Sequence, residues 1–313
     1  MSRGSGRPIG ALRTADGALL GWGLRIARWP LVSGPCWLRR GSLMVAGRLR
    51  IQRHLPEMIA RFPDGRVFRM PRHDRMSASI YLQGEYEAAN TALVRALLRP
   101  GDLAVDIGAN HGWFSLAMAT SVGQRGRVLA FEPVPPILDD LRRNLARNPH
   151  LHIAVHPYAL GAQHGELKLH LFAGLPHGHA SASTLGRSDY ASYRVRVSRL
   201  DEALEGTEPV LIKLDAEGAE FDILRGSEAL LASAPPIWLV EVNWTTSHAF
   251  GYRPRDLLRF MAKHADYEFF EVDEYRLTPV SAPELASHGA TWLCVPARLR
   301  SRVPPAWSPP TSR

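Results

Sequence analysis

Residues 103–112, LAVDIGANHG, constrain this chain more than any other segment. An apolar run ends in an acid, Asp106, and a turn carrying Gly108 and Gly112 follows before a helical pattern, WFSLAMATSV, resumes. A second apolar run, 128–131, stops at Glu132 of Phe131-Glu132-Pro133. Strand, glycine turn, helix, strand and acid, in that order, place a ligand pocket at the carboxyl ends of neighbouring parallel strands.

The acid at 106 argues against a dinucleotide. A phosphate-binding fingerprint sets a glycine there, so that backbone N–H groups can approach a pyrophosphate. A carboxylate in its place repels phosphate. S-adenosylmethionine carries no phosphate and presents two positive groups, an ammonium and a sulfonium, which Asp106 suits directly or through water. Glu132, at the next strand end, has the chemistry to accept both ribose hydroxyls. The bland alternative is an ordinary strand–turn–helix unit with a capping acid.

The same alternation continues along the chain. Strand patterns fall at 103–107, 127–131, 152–157, 210–215, 237–242, 267–272 and 291–295, and helical patterns at 112–121, 136–146, 219–232 and 254–264. This predicts a mostly parallel sheet with helices on both faces. Between the third and fourth strands the rhythm breaks. ELKLHLF (166–172) and YRVRVS (193–198) alternate with period two and read as an antiparallel insertion or edge strands. Their linker, 173–191, is rich in Gly, His and Ser and reads as a flexible lid that includes Ser181, Ser183 and Thr184. Before the core, FPDGRVFRM (62–70) predicts a hairpin around Asp64-Gly65, and 85–98 a helix stopped by Pro100-Gly101.

Charge divides the chain in two. Residues 1–100 hold 17 Arg and 6 acids, net +11, whereas 101–313 hold 21 basic and 24 acidic residues, net −3. The basicity belongs to an N-terminal extension (1–75, partly disordered), not to the catalytic-looking domain (76–295); a Pro/Arg-rich tail (296–313) is expected to have no fold. The extension fits an anionic partner or an arginine-rich solvated segment, and no RNA-binding signature accompanies it. Its most apolar window, 18–38, is interrupted by Arg25, Arg28, Pro30 and Pro35, so no transmembrane span is expected. Leu19, Trp22, Ile26 and Trp29 beside arginines leave two readings open, an interfacial helix with peripheral membrane contact or packing on the domain. Two cysteines, Cys36 and Cys294, support neither a disulfide framework nor a zinc site, and a reducing cytoplasm is the default.

With the fourth strand the chain resembles a known family. LIKLDAEGAEFDILRG (211–226) is similar to the signature of FkbM-type S-adenosylmethionine-dependent methyltransferases, I-K-x-D-x-E-G-x-E followed by L-x-G. Gly84–Glu87 (GEYE), Pro100–Asp102 (PGD), Asp106–Asn110 (DIGAN), Phe131–Pro133 (FEP), Ala159–Gly161 (ALG), a segment ending in Leu200-Asp201, and a strand ending in Glu241 resemble the same family in the same order. The resemblance spans roughly 76–295. It implies the class I methyltransferase fold, Rossmann-like, with a seven-stranded sheet whose last strand is antiparallel. It also implies, as the usual activity, O-methylation of a sugar, polyketide or other small-molecule hydroxyl.

Methyl transfer from a sulfonium is an in-line displacement, so catalysis is mainly positioning, with a base in reach of the hydroxyl proton. Asp215, at the end of the fourth core strand, is the first candidate, with Glu217 facing the same mouth. Lys213 lies two residues before Asp215 on a strand, where both share a face and can pair; snorkelling or a structural pair is the alternative. Glu217 and Glu220 also suit a helix N-terminus. Cofactor contacts are assigned to Asp106, Gly108, Asn110, Gly112, Glu132, Tyr158 and Ala159, with a turn or helix-cap role as the alternative for Asn110; Tyr86 and Glu87 are placed to close the pocket from the preceding helix, with helix-start acidity as the alternative for Glu87. Asp215, Glu241 and Asn243 have the order of a magnesium site in some O-methyltransferases, but no metal is expected here. His111 reads as a loop residue near the cofactor, and His177, His179 and His248 as loop histidines with base or substrate contact as the alternative. The expected acceptor is a small molecule or glycan. Nucleic acid is disfavoured, and RNA methylation or a non-catalytic binding module are the competing readings. The acceptor's identity and the oligomeric state are not legible.

Overall fold

The computed structural model describes residues 11–14, 57–71, 75–172, 180–184, 186–280 and 289–304. The window 18–38, Cys36, His177 and His179 lie outside the described residues. At the N-terminal side β1 (Ala11–Thr14), β2 (Met58–Arg61) and β3 (Val67–Met70) form an antiparallel three-stranded sheet. The 62–70 hairpin turns at Gly65, whose φ of 89° suits a residue without Cβ. Helices α1 (Arg75–Gln83) and α2 (Ala88–Leu97) lead into the domain.

The core follows the alternation: β4 (Leu103–Ile107), α3 (Trp113–Val122), β5 (Arg127–Phe131), α4 (Pro135–Leu145) and β6 (Ile153–His156). The insertion then forms its own sheet from β7 (Ala159–Leu160), β8 (Gly165–Phe172), β9 (Ala180–Ser181) and β10 (Tyr190–Ser198), with β8 and β10 antiparallel. After α5 (Leu200–Ala203) come β11 (Leu211–Leu214), α6 (Glu220–Arg225), α7 (Glu228–Ser233), β12 (Ile237–Val242), α8 (Trp244–Ala249) and α9 (Pro254–His264). Strands β13 (Tyr267–Asp273), β14 (Arg276–Val280) and β15 (Ala290–Pro296) close the sheet.

The main sheet runs β14-β13-β15-β12-β11-β4-β5-β6. Five neighbours, β12 to β6, are parallel, while β15 runs antiparallel to both β12 and β13. This is the class I methyltransferase order, with an eighth strand, β14, hairpinned onto the edge of the expected seven. The order reverses between β4 and β11, the point at which an open α/β sheet leaves a crevice at its carboxyl edge.

Two apolar layers cover the sheet. On one face the N-terminal hairpin, α2 and α3 bury Phe62, Phe68, Trp113 and Leu239 together. Trp113, 1% exposed, meets the rings of Phe62, Phe68 and Tyr86 edge-on, contacts worth about 0.5–1.5 kcal/mol each beyond area burial. On the other face α5 to α9 cover Val105, Ile212, Leu214 and Val240.

Beside the added strand β14 and a helix that starts at Ala88 rather than 85, the structure departs from the sequence pattern at two further points. Residues 219–232 read as one helix, yet the chain breaks at Gly226-Ser227 into α6 and α7. The break is imposed by neighbours. A Cβ on Gly226 would stand 2.1 Å from the Gly161 carbonyl oxygen, and Asp201 accepts hydrogen bonds from Ala229 N (3.1 Å) and Leu230 N (2.9 Å) at the start of α7. Secondly, the tail expected to be unstructured continues past β15 as a 3-10 turn, Ala297–Arg302, held by Arg298 on the carbonyls of Ala234 and Pro235 and by Arg302 on Asp102.

Candidate active site

The crevice holds an open cavity of about 730 Å³, counted with the solvent space at its mouth. Its walls come from the ends of β4, β5 and β11, from the segment after β6, and from the insertion. Of the sequence-predicted site residues, Gly108, Asn110, Glu132, Tyr158, Ala159, Asp215 and Glu217 line it together. Asp106, Gly112 and Lys213 lie behind the lining.

The glycine turn is shaped by what surrounds it. Gly108 (φ 77°) and Asn110 (φ 51°) are left-handed, and a Cβ on Gly108 would stand 1.8 Å from the Asp215 carbonyl oxygen. Two strand ends therefore approach more closely than any side chain permits. Gly112 (φ 89°) serves packing instead, since a Cβ there would meet Leu141 of α4 at 2.6 Å.

Glu132 sits on the floor, 5% exposed. Its carboxylate accepts the N–H of Asn110 at 3.0 Å and of Val134 at 2.9 Å, tying the turn after β4 to the turn after β5. Burial pushes its carboxyl up to about 7, against those two hydrogen bonds. Asp106, 1% exposed, accepts from Ser115 Oγ at 2.5 Å, while its Oδ1 has no hydrogen-bond partner among the described residues. Burial raises its carboxyl, and Lys213 opposes that rise.

Lys213 stands opposite Asp106 in the β4–β11 register, so both side chains leave the same face of the sheet. It is 5% exposed, its Nζ lies 3.1 Å from Asp215 Oδ2, and it sits 4.7 Å from the Phe114 ring centroid. One step beyond that register, Asp215 and Glu241 end the neighbouring strands β11 and β12 on the same face. Glu241 is raised to about 9, first by the charge of Asp215 and then by burial, with Glu87 and Glu217 adding to the rise. Glu87 is left-handed (φ 41°) and receives Asn90 Nδ2 at 3.0 Å. Thr91 holds this turn by donating to the Tyr86 carbonyl while accepting from Trp113 Nε1. Acids from four separate segments, Asp106, Glu87, Asp215 and Glu241, thus act on Lys213, and strand register sets three of them beside it.

The turn after Asp215 is braced from below. Glu220, expected either as a helix-start acid or as functional, is 1% exposed and accepts the N–H of Ala216 (2.9 Å) and Gly218 (3.1 Å) together with the Tyr252 hydroxyl. It carries Glu217 (φ 49°) into the cavity wall, where Ser181 Oγ donates to the Glu217 carbonyl at 3.1 Å. The insertion is more than a lid over the site: Leu167, Leu169 and Ala180 are part of the wall itself. Tyr158 lies edge-on to Phe131 with its hydroxyl hydrogen-bonded to His156 Nδ1 at 3.2 Å, and Val134, Ile137 and Ile223 complete an apolar side. His111 lies away from the cavity, buried with its Nδ1 3.7 Å from Asp140. Asn243 spends its side-chain oxygen on Thr245 N as the cap of α8. No group of three metal-ligating side chains is found among the described residues.

Residues 106–269, more than half of the chain, match the family described as the methyltransferase FkbM domain. The chain belongs to this family. The hexuronic acid methyltransferase AglP of Haloferax volcanii is 28% identical over 185 residues, covering 58% of this chain and 70% of that protein. The methyltransferase sdnD of Sordaria araneosa is 33% identical over 153 residues, but the match spans only 39% of this chain and 59% of the fungal protein. A crystal structure of methyltransferase FkbM from Methylobacillus flagellatus is 17% identical, covers 69% of this chain and 52% of that one, and superposes with a TM-score of 0.43. FkbM-domain membership makes this chain a methyltransferase, and the family and fold imply S-adenosylmethionine as cofactor. The cavity fits such a group. It joins an apolar side for a ring to a floor of carboxylate oxygen, and an orphaned buried oxygen of Asp106 lies behind the turn. No helix among the described residues is long and apolar enough to cross a membrane.

Proposed function

We propose that this FkbM-domain protein is an S-adenosylmethionine-dependent O-methyltransferase that acts on a hydroxyl of a small metabolite, sugar or glycan, or natural product, in the cytoplasm. The observation that carries the reading is Asp215, which lines the cavity with one oxygen held 3.1 Å from the buried Lys213 ammonium. The pair fixes the direction of the carboxylate, as a base for a hydroxyl proton requires. Relatives named for methyl transfer, one of them to a hexuronic acid, support an oxygen-rich small acceptor.

When bound, the cofactor supplies a methyl group on a positively charged sulfur. The chain would hold it with Glu132 on the ribose hydroxyls, Gly108 and Asn110 along the methionine portion, and Tyr158 and Ala159 beside the adenine. Asp106 acts from behind the turn. Asp215 takes the acceptor proton, Lys213 positions Asp215, and Glu217 borders the acceptor. Labelled S-adenosylmethionine offered with a panel of hydroxylated metabolites tests this. Asp215→Asn is expected to lower methyl transfer by about 10²–10⁴ while leaving cofactor affinity in place. Unchanged turnover in that variant removes Asp215 as the base.

A further inference from the structure

Trp244 is the sole large apolar side chain left exposed among the described residues, at 45%. It lies at the chemical end of the sheet, as the first residue of α8 directly after β12. It stands three positions after Glu241, a span of at most about 11 Å. Its position is fixed from two sides: Asn243 caps α8, and the backbone N of Trp244 lies where a Cβ on Gly289 would stand 2.6 Å away. One helical turn on, His248 sets its ring parallel to the indole, at 3° and 6.4 Å between centroids. The two ring planes are parallel and lie one helical turn apart on the same side of α8. The same helix ends at Phe250, whose ring covers Gly218 beside Glu217.

On the neighbouring strand ends Asp215 and Glu241 stand side by side, Glu217 lines the cavity, and the carboxylates of Asp215, Glu217 and Glu87 form a wall that keeps Glu241 protonated; the cation among them, Lys213, is already paired with Asp215. A flat aromatic face recognises the C–H face of a saturated ring, and a wall of one charge rejects a ligand of the same charge. We propose that Trp244 and His248 form the acceptor platform, and that the carboxylate wall selects a neutral or amino-bearing hydroxylated ring over a carboxylated one. The inference rests on the methyltransferase reading and narrows its acceptor. It also separates this chain from its hexuronic acid relative.

The test uses the full chain loaded with S-adenosylhomocysteine and three probes: methyl glucopyranoside, methyl glucosaminide and methyl glucuronoside. Binding is read by saturation-transfer NMR and titration. The neutral and amino probes are expected to bind, with ring-face protons receiving the saturation, and the glucuronoside to bind at least about tenfold more weakly. Trp244→Ala should weaken the glucopyranoside about tenfold and Trp244→Phe by no more than about threefold, with S-adenosylhomocysteine affinity unchanged in both. Equal binding by Trp244→Ala, or glucuronoside binding as tight as the glucoside, overturns the proposal. So does the absence of binding by every pyranoside to the loaded protein, which leaves the methyltransferase reading standing. Failure to bind S-adenosylhomocysteine at all would overturn both.

Discussion

Replacing Glu241 by Gln should stabilise this protein. The folded state holds the Glu241 carboxyl at about 9 against an ordinary 4.5, because Asp215 stands on the neighbouring strand end and the site is buried. An acid raised on folding contributes stability that is fully present below 4.5 and is lost as pH rises, until the folded group itself ionises near 9. Each unit of that window costs about 1.4 kcal/mol. At pH 7 the native protein therefore carries a penalty of about 3 kcal/mol for keeping Glu241 protonated beside Asp215. Glutamine imitates the protonated form and carries no such penalty. Urea denaturation at pH 5, 7 and 8.5 should give stabilities within about 1 kcal/mol of each other at pH 5 and a gap in favour of the variant that widens to about 3 kcal/mol at pH 7 and about 5 kcal/mol at pH 8.5. Asp215→Asn should flatten the wild-type pH dependence as well, since it removes the main cause of the rise. Parallel pH profiles for wild type and Glu241→Gln would refute the reasoning.

Three further outcomes follow from the same geometry. Lys213→Met leaves Asp106 and Asp215 without their buried cation and should cost about 3–5 kcal/mol in denaturant unfolding, a loss that shrinks as the pH is lowered. Glu132→Ala strips the acceptor from the amides of Asn110 and Val134 and should weaken S-adenosylhomocysteine binding at least about tenfold, measured by calorimetry. Gly108→Ala places a Cβ on the Asp215 carbonyl at a left-handed φ, and circular dichroism melting should show a loss above about 4 kcal/mol or no folded protein.

How far the fold is legible in the sequence depends on where each element gets its instructions. The strands at 103–107 and 127–131 announce themselves because apolar period, acid and glycine turn are all local, and the structure reproduces them residue for residue. The break in 219–232 is not local. It comes from the Gly161 carbonyl and the Asp201 carboxylate, two segments whose motif residues have this structural task. Strand β14, with charge and proline in a five-residue run, carries little strand signal until β13 offers it an edge. The site behaves the same way. Gly108, Asn110, Glu132 and Asp215 are visible as strand-end residues, whereas the pairing of Asp215 with Glu241 emerges only once register sets β12 beside β11, and Glu87 joins them from the turn before α2 by tertiary packing. The lining from Leu167, Leu169 and Ala180 is legible only as an insertion, since its docking on the start of α4 is tertiary.

The central claim is that the crevice between β4 and β11 holds S-adenosylmethionine through Glu132. Isothermal calorimetry of the full chain with S-adenosylmethionine tests it most directly. The predicted result is one site per chain in the wild type, weakened at least about tenfold by Glu132→Ala. A folded wild-type protein that shows no binding, or a Glu132→Ala variant that binds with unchanged affinity, would contradict it.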